Sequence, residues 1–372
     1  MTLFSRVRAA LAAGIVVLML ALAMWTVVPP PTILTMLLAI GASELSVPLL
    51  CAFAAIGIAL AWFARGRLRA FVVAGTVLSL AALAWPPLSA LQTWPRADDA
   101  LRLQGFAALH PRAPVAVDVT RGIPVPLRDG SVLALDLYRP RLTGTLPLVV
   151  TIYGGAWMFG SRAEDAPLAQ WYAARGYAVA VIDYRHAPAY RFPIQIDDVD
   201  DALETIARNA NAWHVDRDRV ALFGRSAGAQ LALLAGERVQ PLHVRALIAY
   251  YAPSDLIAGW EQLPQPDPAD VRDILSAYLG GPPDAAHVKI YRAAGPLPQA
   301  HAGMPPVLAI IGDRDELVLP DFQRNFAVRL SALHVRNVAI ELPWASHAFD
   351  GANGLGSAIA HDATLRFLGA LL

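Results

Sequence analysis

The pentapeptide Gly-Arg-Ser-Ala-Gly at positions 224–228 constrains the fold more than any other segment of the sequence. It follows an apolar run at 219–224 with strand character and leads into a helix-like stretch at 226–237. A turn this tight between a strand and a helix requires small residues two positions before and after the serine. The serine oxygen then projects at a helix N-terminus, where the helix dipole favours negative charge. We therefore predict that Ser226 is a nucleophile, the alternative being a purely structural glycine turn.

Strand-like and helix-like segments alternate through the chain from about residue 96 onward. This alternation predicts a mainly parallel, eight-stranded sheet with helices on both faces. The turn signal Asp129-Gly130 indicates that the first two strands form an antiparallel hairpin. Residues 254–300 fit no strand, and we expect an irregular excursion there with a short helix at 271–279. The predicted strands are 115–120, 132–138, 146–153, 177–184, 219–224, 245–251, 306–311 and 337–342, and the predicted helices are 165–175, 198–211, 226–237, 321–334 and 357–371.

A nucleophilic serine needs a base, and the sequence offers one histidine in a suitable position. A hydroxyl becomes reactive when a histidine, itself oriented by an acid, accepts its proton. After a strand–serine–helix turn of this kind, the acid precedes the histidine along the chain. His347 lies in a loop directly after the last predicted strand, whereas His334 and His361 lie in predicted helices. We therefore predict that His347 is the base.

Three carboxylates crowd the turn that follows the predicted strand at 306–311. Asp315 lies three residues beyond Gly312, and an apolar pair that can anchor the loop follows it. We favour Asp315 as the orienting acid and keep Asp313 as the second choice. Otherwise Asp313 and Glu316 are solvated turn residues or caps of the next helix.

The loop after the third predicted strand reads Tyr-Gly-Gly-Ala-Trp at 153–157. A tetrahedral intermediate needs amide donors at its oxyanion, and glycines let the backbone approach a substrate closely. We expect the amides of Gly155 and Ala227 to donate, with Gly154 or Ala156 nearby. Three aromatic residues of this region are candidates for the substrate pocket: Tyr153, Trp157 and Phe159.

The N-terminal quarter of the chain is nearly free of charge, although the rest is not. The apolar run at 9–28 is long enough to cross a bilayer as a helix, and we predict two further spans at 47–64 and 70–85. Prolines follow the first and third runs, where we expect those helices to end. The intervening segment 32–40 is predicted to be partial or interfacial. We thus divide the chain into a transmembrane region at 1–90, a linker at 91–113 and a catalytic domain at 114–372.

Arginines beside the apolar runs predict the orientation, because cytoplasmic flanks carry excess positive charge. Arg6 and Arg8 precede the first run, and three further arginines lie at 65–69. Three spans then put the catalytic domain on the exoplasmic side of a cell membrane. If segment 32–40 also crosses, the domain is cytoplasmic instead. A cleaved signal peptide would explain the first run alone.

Charge and cysteine content exclude several other kinds of partner. The 30 basic and 30 acidic residues balance, so nothing indicates nucleic-acid binding. Cys51 is the only cysteine, which excludes an intrachain disulfide and a cysteine metal site. Four aspartates at 197–201 have helical spacing toward different faces, so we interpret them as capping and solvated residues. We expect no metal and no cofactor, and the sequence does not indicate an oligomeric state.

Taken together, these residues resemble the α/β-hydrolase superfamily, and more narrowly the feruloyl-esterase-like and hormone-sensitive-lipase-like esterases. Members carry a His-Gly-Gly segment, often continuing to Trp, which 153–157 matches with Tyr153 in place of the histidine. They also carry an Asp-Tyr-Arg segment followed by Pro and Phe-Pro, matched here between 183 and 193. The stretch at 215–220 and the acid and histidine loops match as well. The resemblance covers roughly residues 115–372.

This resemblance implies an enzyme that cleaves small-molecule carboxylic esters through an acyl-enzyme. The predicted N-terminal spans lie outside the resemblance, and we expect them to hold the enzyme at a lipid bilayer. In such families the histidine replaced by Tyr153 supports the shape of the oxyanion loop, and a tyrosine hydroxyl can take over its hydrogen bonding. An amidase, formamidase or peptidase on the same fold is the alternative, since the same acyl transfer serves both bonds. A non-catalytic, membrane-anchored binding module is the third hypothesis.

Overall fold

Eight strands form one sheet in the computed structural model, which describes residues 3–106, 113–238 and 241–372. The strands are β1 (Val117–Pro126), β2 (Val132–Pro140), β3 (Leu146–Ile152), β4 (Ala178–Ile182), β5 (Val215–Arg225), β6 (Val244–Tyr250), β7 (Val307–Gly312) and β8 (Asn337–Leu342). Their order across the sheet is β1-β2-β4-β3-β5-β6-β7-β8. The pairs β1–β2 and β2–β4 are antiparallel, and the other five pairs are parallel. All eight predicted strands and the initial hairpin are confirmed.

Helices precede the sheet, connect its strands and end the chain. Those before the sheet are α1 (Leu3–Ala23), α2 (Ile33–Glu44), α3 (Ser46–Phe63) and α4 (Gly66–Leu103). Those that follow are α5 (Ala166–Ala173), α6 (Ile194–Trp213), α7 (Ala227–Gly236), α8 (Leu256–Glu261), α9 (Val271–Leu279), α10 (Val288–Ala294), α11 (Pro296–Gln299), α12 (Pro320–Ala332) and α13 (Leu355–Leu371).

Helices cover both faces of the sheet. Successive side chains of a strand point to opposite faces, so Val149 and Val150 of β3 belong to different buried clusters. α6 and α7 pack on one face, and α5 and α13 pack on the other. Every residue of β4 is buried, which explains why such strands are continuous apolar runs in the sequence. The predicted α/β-hydrolase architecture is confirmed.

The excursion between β6 and β7 contains more helix than the sequence indicated. The expected helix at Val271–Leu279 is present as α9, and α8, α10 and α11 accompany it. An aspartate caps α8: the Asp255 side chain accepts hydrogen bonds from the amides of Ile257 and Ala258. These helices follow the carboxyl end of β6, so they lie at the edge of the sheet where β5 also ends.

The aspartates of α6 are not all capping or solvated residues, and our interpretation is wrong for two of them. Asp198 and Asp201 are buried. Asp198 pairs with Arg185 at 2.6 Å, and Asp201 pairs with Arg128 at 3.0 Å. Burial of each carboxylate is offset by its arginine partner. Within the described part of the chain, no group of three or more His, Cys, Asp or Glu side chains is arranged to hold a metal ion.

Three N-terminal helical stretches are long and apolar enough to cross a membrane, judged by length and composition. They are Ser5–Thr26, Ser46–Phe63 and Gly66–Leu103. Large apolar side chains on them are exposed, among them Leu18 at 71% and Ile58 at 70%. Outward-facing apolar surface of this extent is typical of helices that contact lipid.

The last of these helices does not end at the prolines as we expected. α4 continues through Pro86, Pro87 and Pro95 to Leu103. Its final turns pack against the sheet domain, where Ala97 and Leu101 are buried in the same cluster as Phe367 of α13. Proline removes one helical hydrogen bond, but the packing of neighbouring elements holds the helix together. Much of the predicted linker at 91–113 is therefore a helix attached to the sheet domain.

Close packing between α3 and α4 yields a test of this helical arrangement. A Cβ atom at Gly57 would lie 2.2 Å from Cγ2 of Thr76, so Gly57→Ala forces the two helices apart. We expect a loss of about 1–3 kcal/mol in stability, measured as a lower unfolding midpoint in detergent micelles. Gly14→Ala is the control, because nothing lies within 4 Å of a Cβ there. An equal midpoint for both variants would contradict the packing.

Candidate active site

The turn at Ser226 joins β5 to α7 and has no room for a side chain at Gly224 or Gly228, two residues before and after the serine. Ser226 has φ 52° and ψ −122°, a backbone conformation that L-residues rarely adopt. A Cβ at Gly224 would lie 2.1 Å from the carbonyl oxygen of Gly228. A Cβ at Gly228 would lie 2.1 Å from the carbonyl oxygen of Ile152. The two glycines are therefore required by contact, which is the physical origin of the sequence pattern.

The structure brings Ser226, His347 and Asp315 together. His347 Nε2 lies 3.0 Å from Ser226 Oγ, and His347 Nδ1 lies 2.8 Å from Asp315 Oδ2. A carboxylate only accepts, so Nδ1–H donates to Asp315 and Nε2 is left to accept from the serine hydroxyl. Both His347 and Asp315 are buried, while Ser226 is half-buried.

Of the two candidate acids, only Asp315 reaches the histidine. Its Oδ1 accepts hydrogen bonds from the amides of Leu317 at 2.9 Å and Val318 at 2.7 Å, which fix the carboxylate. Asp313 points outward and pairs with Arg324 at 2.7 Å. The apolar pair expected to anchor the loop thus supplies the amides that hold Asp315.

A second set of side chains, which sequence reasoning missed, packs around the histidine. The Tyr251 ring lies 4.5 Å from the His347 ring, centroid to centroid. The Tyr251 hydroxyl donates to Asp350, which also pairs with Arg225 at 3.3 Å. Arg225 pairs in addition with Asp165. Tyr251 directly follows β6. Its position at the carboxyl end of a strand is the sequence feature that could have indicated a place near the site.

The glycine loop after β3 lies directly against the turn at Ser226. A Cβ at Gly154 would lie 3.2 Å from the Ser226 Cβ, and one at Gly155 would lie 2.1 Å from the Phe159 carbonyl oxygen. Gly155 has φ +123°, which favours glycine. Ala227 is the first residue of α7, so its amide has no acceptor within the helix. Of the three residues predicted to bind an oxyanion, Gly154 and Ala227 therefore lie next to Ser226, and Gly155 follows Gly154 in the loop.

Tyr153 supports this loop from beneath rather than lining a substrate pocket. It is buried and stacks on Tyr184 with ring centroids 4.6 Å apart. Its hydroxyl lies 3.0 Å from His186 Nε2 and 3.3 Å from the Tyr184 carbonyl oxygen. Burial raises the pKa of Tyr153, so the hydroxyl keeps its proton. Phe159 lies on the surface, is 63% exposed and is not in the wall of the cavity beside Ser226.

An apolar cavity of about 60 Å³ opens beside Ser226. Trp157, one of the three aromatic candidates for the substrate pocket, lines it. The other walls come mainly from α8, α9 and the start of α12, so the excursion between β6 and β7 shapes the cavity. Its further lining residues are Ala156, Pro253, Asp255, Leu256, Gly259, Val271, Ile274, Leu275, Leu317, Val318 and Phe322.

A buried glutamine holds Trp157 in the cavity wall. Gln230 Oε1 accepts a hydrogen bond from Trp157 Nε1 at 2.9 Å, and Gln230 Nε2 donates to the Ala294 carbonyl at 2.6 Å. The Trp157 ring stacks on Tyr278 at 4.1 Å. Sequence reasoning missed Gln230, although it lies in the first turn of α7, only four residues after Ser226.

Glu316 is a second buried carboxyl beside the histidine loop. It accepts hydrogen bonds from the Ser346 hydroxyl at 2.8 Å and from the His347 amide at 3.3 Å. Burial, and then the charge of the adjacent Asp315, raise the pKa of Glu316 from 4.5 to about 7. Glu316 is therefore not a solvated turn residue, which was one of the two alternatives that the sequence left open for it.

Comparison with known proteins finds similar sequences whose names describe esterases. The family model described as BD-FAE matches residues 135–330, slightly more than half of the chain. Esterase LipC of Mycobacterium tuberculosis is 32% identical over 252 residues, which are 64% of this chain and 62% of LipC. The probable carboxylic ester hydrolase LipM of that organism is 32% identical over 246 residues, 62% of this chain and 56% of LipM. The chain thus covers less than two thirds of either relative.

Solved structures with similar folds are also esterases by name. An esterase of Pyrobaculum calidifontis has a TM-score of 0.60 and 24% identity, covering 77% of this chain and 94% of that chain. Esterase LipW of Mycobacterium marinum has a TM-score of 0.58 and 22% identity, covering 76% and 88%. At these identities the similarity supports the fold alone.

The raised pKa of Glu316 predicts a pH dependence of stability. Folded protein holds this proton up to pH about 7, whereas the unfolded chain releases it near pH 4.5. The folded state therefore binds more protons in this window, and the free energy of unfolding falls as pH rises through it. Glu316→Gln should reduce this fall, measured as unfolding midpoints from pH ~5 to pH ~8. The exposed Glu261→Gln is the control, and identical profiles for the Glu316 variant and wild type would refute the assignment.

Proposed function

Because the chain belongs to the BD-FAE family, we propose that it is a serine hydrolase that cleaves carboxylic esters through an acyl-enzyme. The observation that carries the proposal is the Ser226–His347–Asp315 arrangement, with 3.0 Å and 2.8 Å separations, beside an apolar cavity. The names of LipC and LipM support an ester as the bond that is cleaved. The apolar walls suit the acyl part of a small-molecule ester.

In the proposed first step, Ser226 Oγ attacks the ester carbonyl carbon while His347 Nε2 accepts the hydroxyl proton. Asp315 holds the imidazole through Nδ1 and stabilises its positive charge. The carbonyl oxygen becomes an oxyanion, which accepts hydrogen bonds from the amides of Gly155 and Ala227, with Gly154 alongside. These amides are part of packed backbone, so little reorganisation is needed when the charge develops.

The intermediate then collapses and the enzyme is regenerated. His347 returns the proton to the alkoxy oxygen, the C–O bond breaks, and the alcohol leaves an acyl group on Ser226. Water enters where the alcohol left, gives its proton to His347 and attacks the acyl carbonyl carbon. The carboxylic acid is released as Ser226 regains its proton. No cofactor takes part in this sequence.

We further propose that the N-terminal helices anchor the enzyme in a cell membrane as three spans. The lengths and apolar surfaces of α1, α3 and α4 support this proposal. The positions of Arg6, Arg8 and the arginines at 65–69 favour a catalytic domain on the exoplasmic side. Residues 1–90 then form the membrane region and 114–372 the catalytic domain, joined through the end of α4.

Replacement of the nucleophile tests the proposed reaction. Ser226→Ala should abolish labelling by a fluorophosphonate probe and hydrolysis of short-chain nitrophenyl esters, because the attacking oxygen is gone. Wild type should cleave these esters faster than the matching anilides. Labelling that persists in the variant would refute Ser226 as the nucleophile. Faster anilide cleavage would favour the amidase alternative.

The acid residue is tested in the same assays with a matched pair of variants. Asp315→Asn should lower kcat by about four orders of magnitude, because the histidine loses its orientation and charge partner. Asp313→Asn removes only an exposed ion pair and should stay within about twofold of wild type. The reverse ranking would assign the acid role to Asp313.

The orientation is tested by single-cysteine labelling in a Cys51→Ser background. A membrane-impermeant maleimide should label a Thr143→Cys variant, in an exposed loop of the catalytic domain, in intact spheroplasts. An Ala70→Cys variant, beside the arginine cluster, should be labelled only after permeabilisation. The opposite pattern would put the catalytic domain in the cytoplasm.

A further inference from the structure

Glu44, the last residue of α2, is buried against the sheet domain rather than exposed beside the membrane. Its side chain is 3% exposed. Glu44 Oε1 accepts a hydrogen bond from Trp344 Nε1 at 3.1 Å, and Oε2 accepts one from the Gly356 amide at 2.6 Å. A single carboxyl group of the N-terminal region thus binds two points of the sheet domain.

Those two points lie on either side of His347. Trp344 is fully buried three residues before the histidine, and Gly356 lies at the start of α13. Between them the chain has little regular structure apart from a short 3₁₀ turn at Phe349–Gly351. The contact is close, because a Cβ at Gly354 would lie 2.5 Å from the Glu44 Cβ. Glu44 therefore clamps both ends of the segment that carries the histidine.

The loop of the acid residue also contacts the N-terminal region. Arg314, directly before Asp315, donates a hydrogen bond to the carbonyl oxygen of Thr26, just after α1. Its guanidinium lies 5.8 Å from the centroid of the Trp85 ring in α4. The segments that carry Asp315 and His347 are thus both held from the same side by the N-terminal helices.

We propose that Glu44 is a positioning residue, and that the N-terminal helices form a structural part of the active site. This inference rests on the proposed function of Ser226, His347 and Asp315. His347 Nε2 must stay within hydrogen-bond distance of Ser226 Oγ, and a displacement of 1 Å can lower the rate by about 100-fold. Two hydrogen bonds to one buried carboxyl group restrain the histidine segment against such displacement.

A plain tether between the two regions is the competing explanation. A tether would affect the amount of folded protein but not the turnover of each folded molecule. A positioning residue would lower kcat while leaving KM nearly unchanged, because the substrate cavity is formed by α8, α9 and α12 and not by the clamp.

The test uses the full-length chain in lipid nanodiscs, with kcat normalised to active sites counted with the fluorophosphonate probe. Glu44→Gln puts an amide N–H where Oε2 or Oε1 accepted a bond, and Trp344→Phe removes the indole donor while keeping an aromatic ring. We expect each to lower kcat by about 10-fold or more, with KM within about twofold. A double variant that combines Glu44→Ala with Trp344→Phe should be no slower than Glu44→Ala alone, because Glu44→Ala already removes the hydrogen bond to Trp344. Leu37→Ala, exposed on the same helix, should behave as wild type.

Several outcomes would overturn the inference. Folded Glu44→Gln and Trp344→Phe proteins with wild-type kcat would do so, and so would additive effects in the double variant. A lower yield or unfolding midpoint with unchanged kcat per active site would assign a tether instead. Wild type that neither reacts with the probe nor cleaves esters would contradict the proposed function and, with it, the positioning role. Hydrogen exchange over 344–356 separates the two failures: if wild type is inactive, faster exchange in Glu44→Gln still supports restraint of this segment by Glu44, and unchanged exchange refutes it.

Discussion

The backbone contact between Gly228 and the end of β3 sets the positions of the groups around Ser226. Because glycine has no Cβ, the backbone of α7 at Gly228 lies directly against the carbonyl oxygen of Ile152, where no side chain would fit. The same contact brings Gly154 next to Ser226. The amide of Ala227 has no acceptor within α7 because it lies in the first turn of the helix. Ser226 itself adopts a strained backbone, which costs about 1–3 kcal/mol. The burial of every residue of α7 offsets that cost.

The histidine and the acid approach this turn from the neighbouring strand ends. β7 and β8 are parallel neighbours, so the loops after their carboxyl ends meet at the edge of the sheet where Ser226 lies. These loops are longer and less regular than the serine turn. The Asp315 side chain is held by two amides of its own loop, and Tyr251 packs on His347. The remaining contacts come from the N-terminal helices, through Arg314 and Glu44.

Much of the sheet and of the proposed triad could be predicted because the signals are local. The strand β8 at 337–342 was predicted with its observed bounds, and His347 was selected by its place just after that strand. Apolar periodicity and turn chemistry report local conformation directly. The choice of Asp315 over Asp313 also followed from the loop sequence, since the apolar residues that anchor the loop supply the amides that bind Asp315.

Other features depended on partners far away in the chain. Proline rules predicted that α4 ends near residue 85, but contacts with α13 carry it to Leu103. Asp198 is buried because Arg185 reaches it, which helical spacing alone does not reveal. Tyr153 turns under its loop to meet Tyr184 and His186 instead of facing the cavity. In each case a tertiary contact outweighed a local preference.

By itself, the sequence determined the fold class, the serine turn and the order of the residues proposed for catalysis, because hydrophobic periodicity and glycine placement act over a few residues. Only the tertiary structure decided which side chains line the cavity and how the N-terminal helices meet the histidine loop. Glu44 and Trp344 are 300 residues apart, and neither residue type carries a local signal for the other. Such a pair forms only when the packed elements bring it together, since side-chain hydrogen bonds depend on distances of a few ångströms.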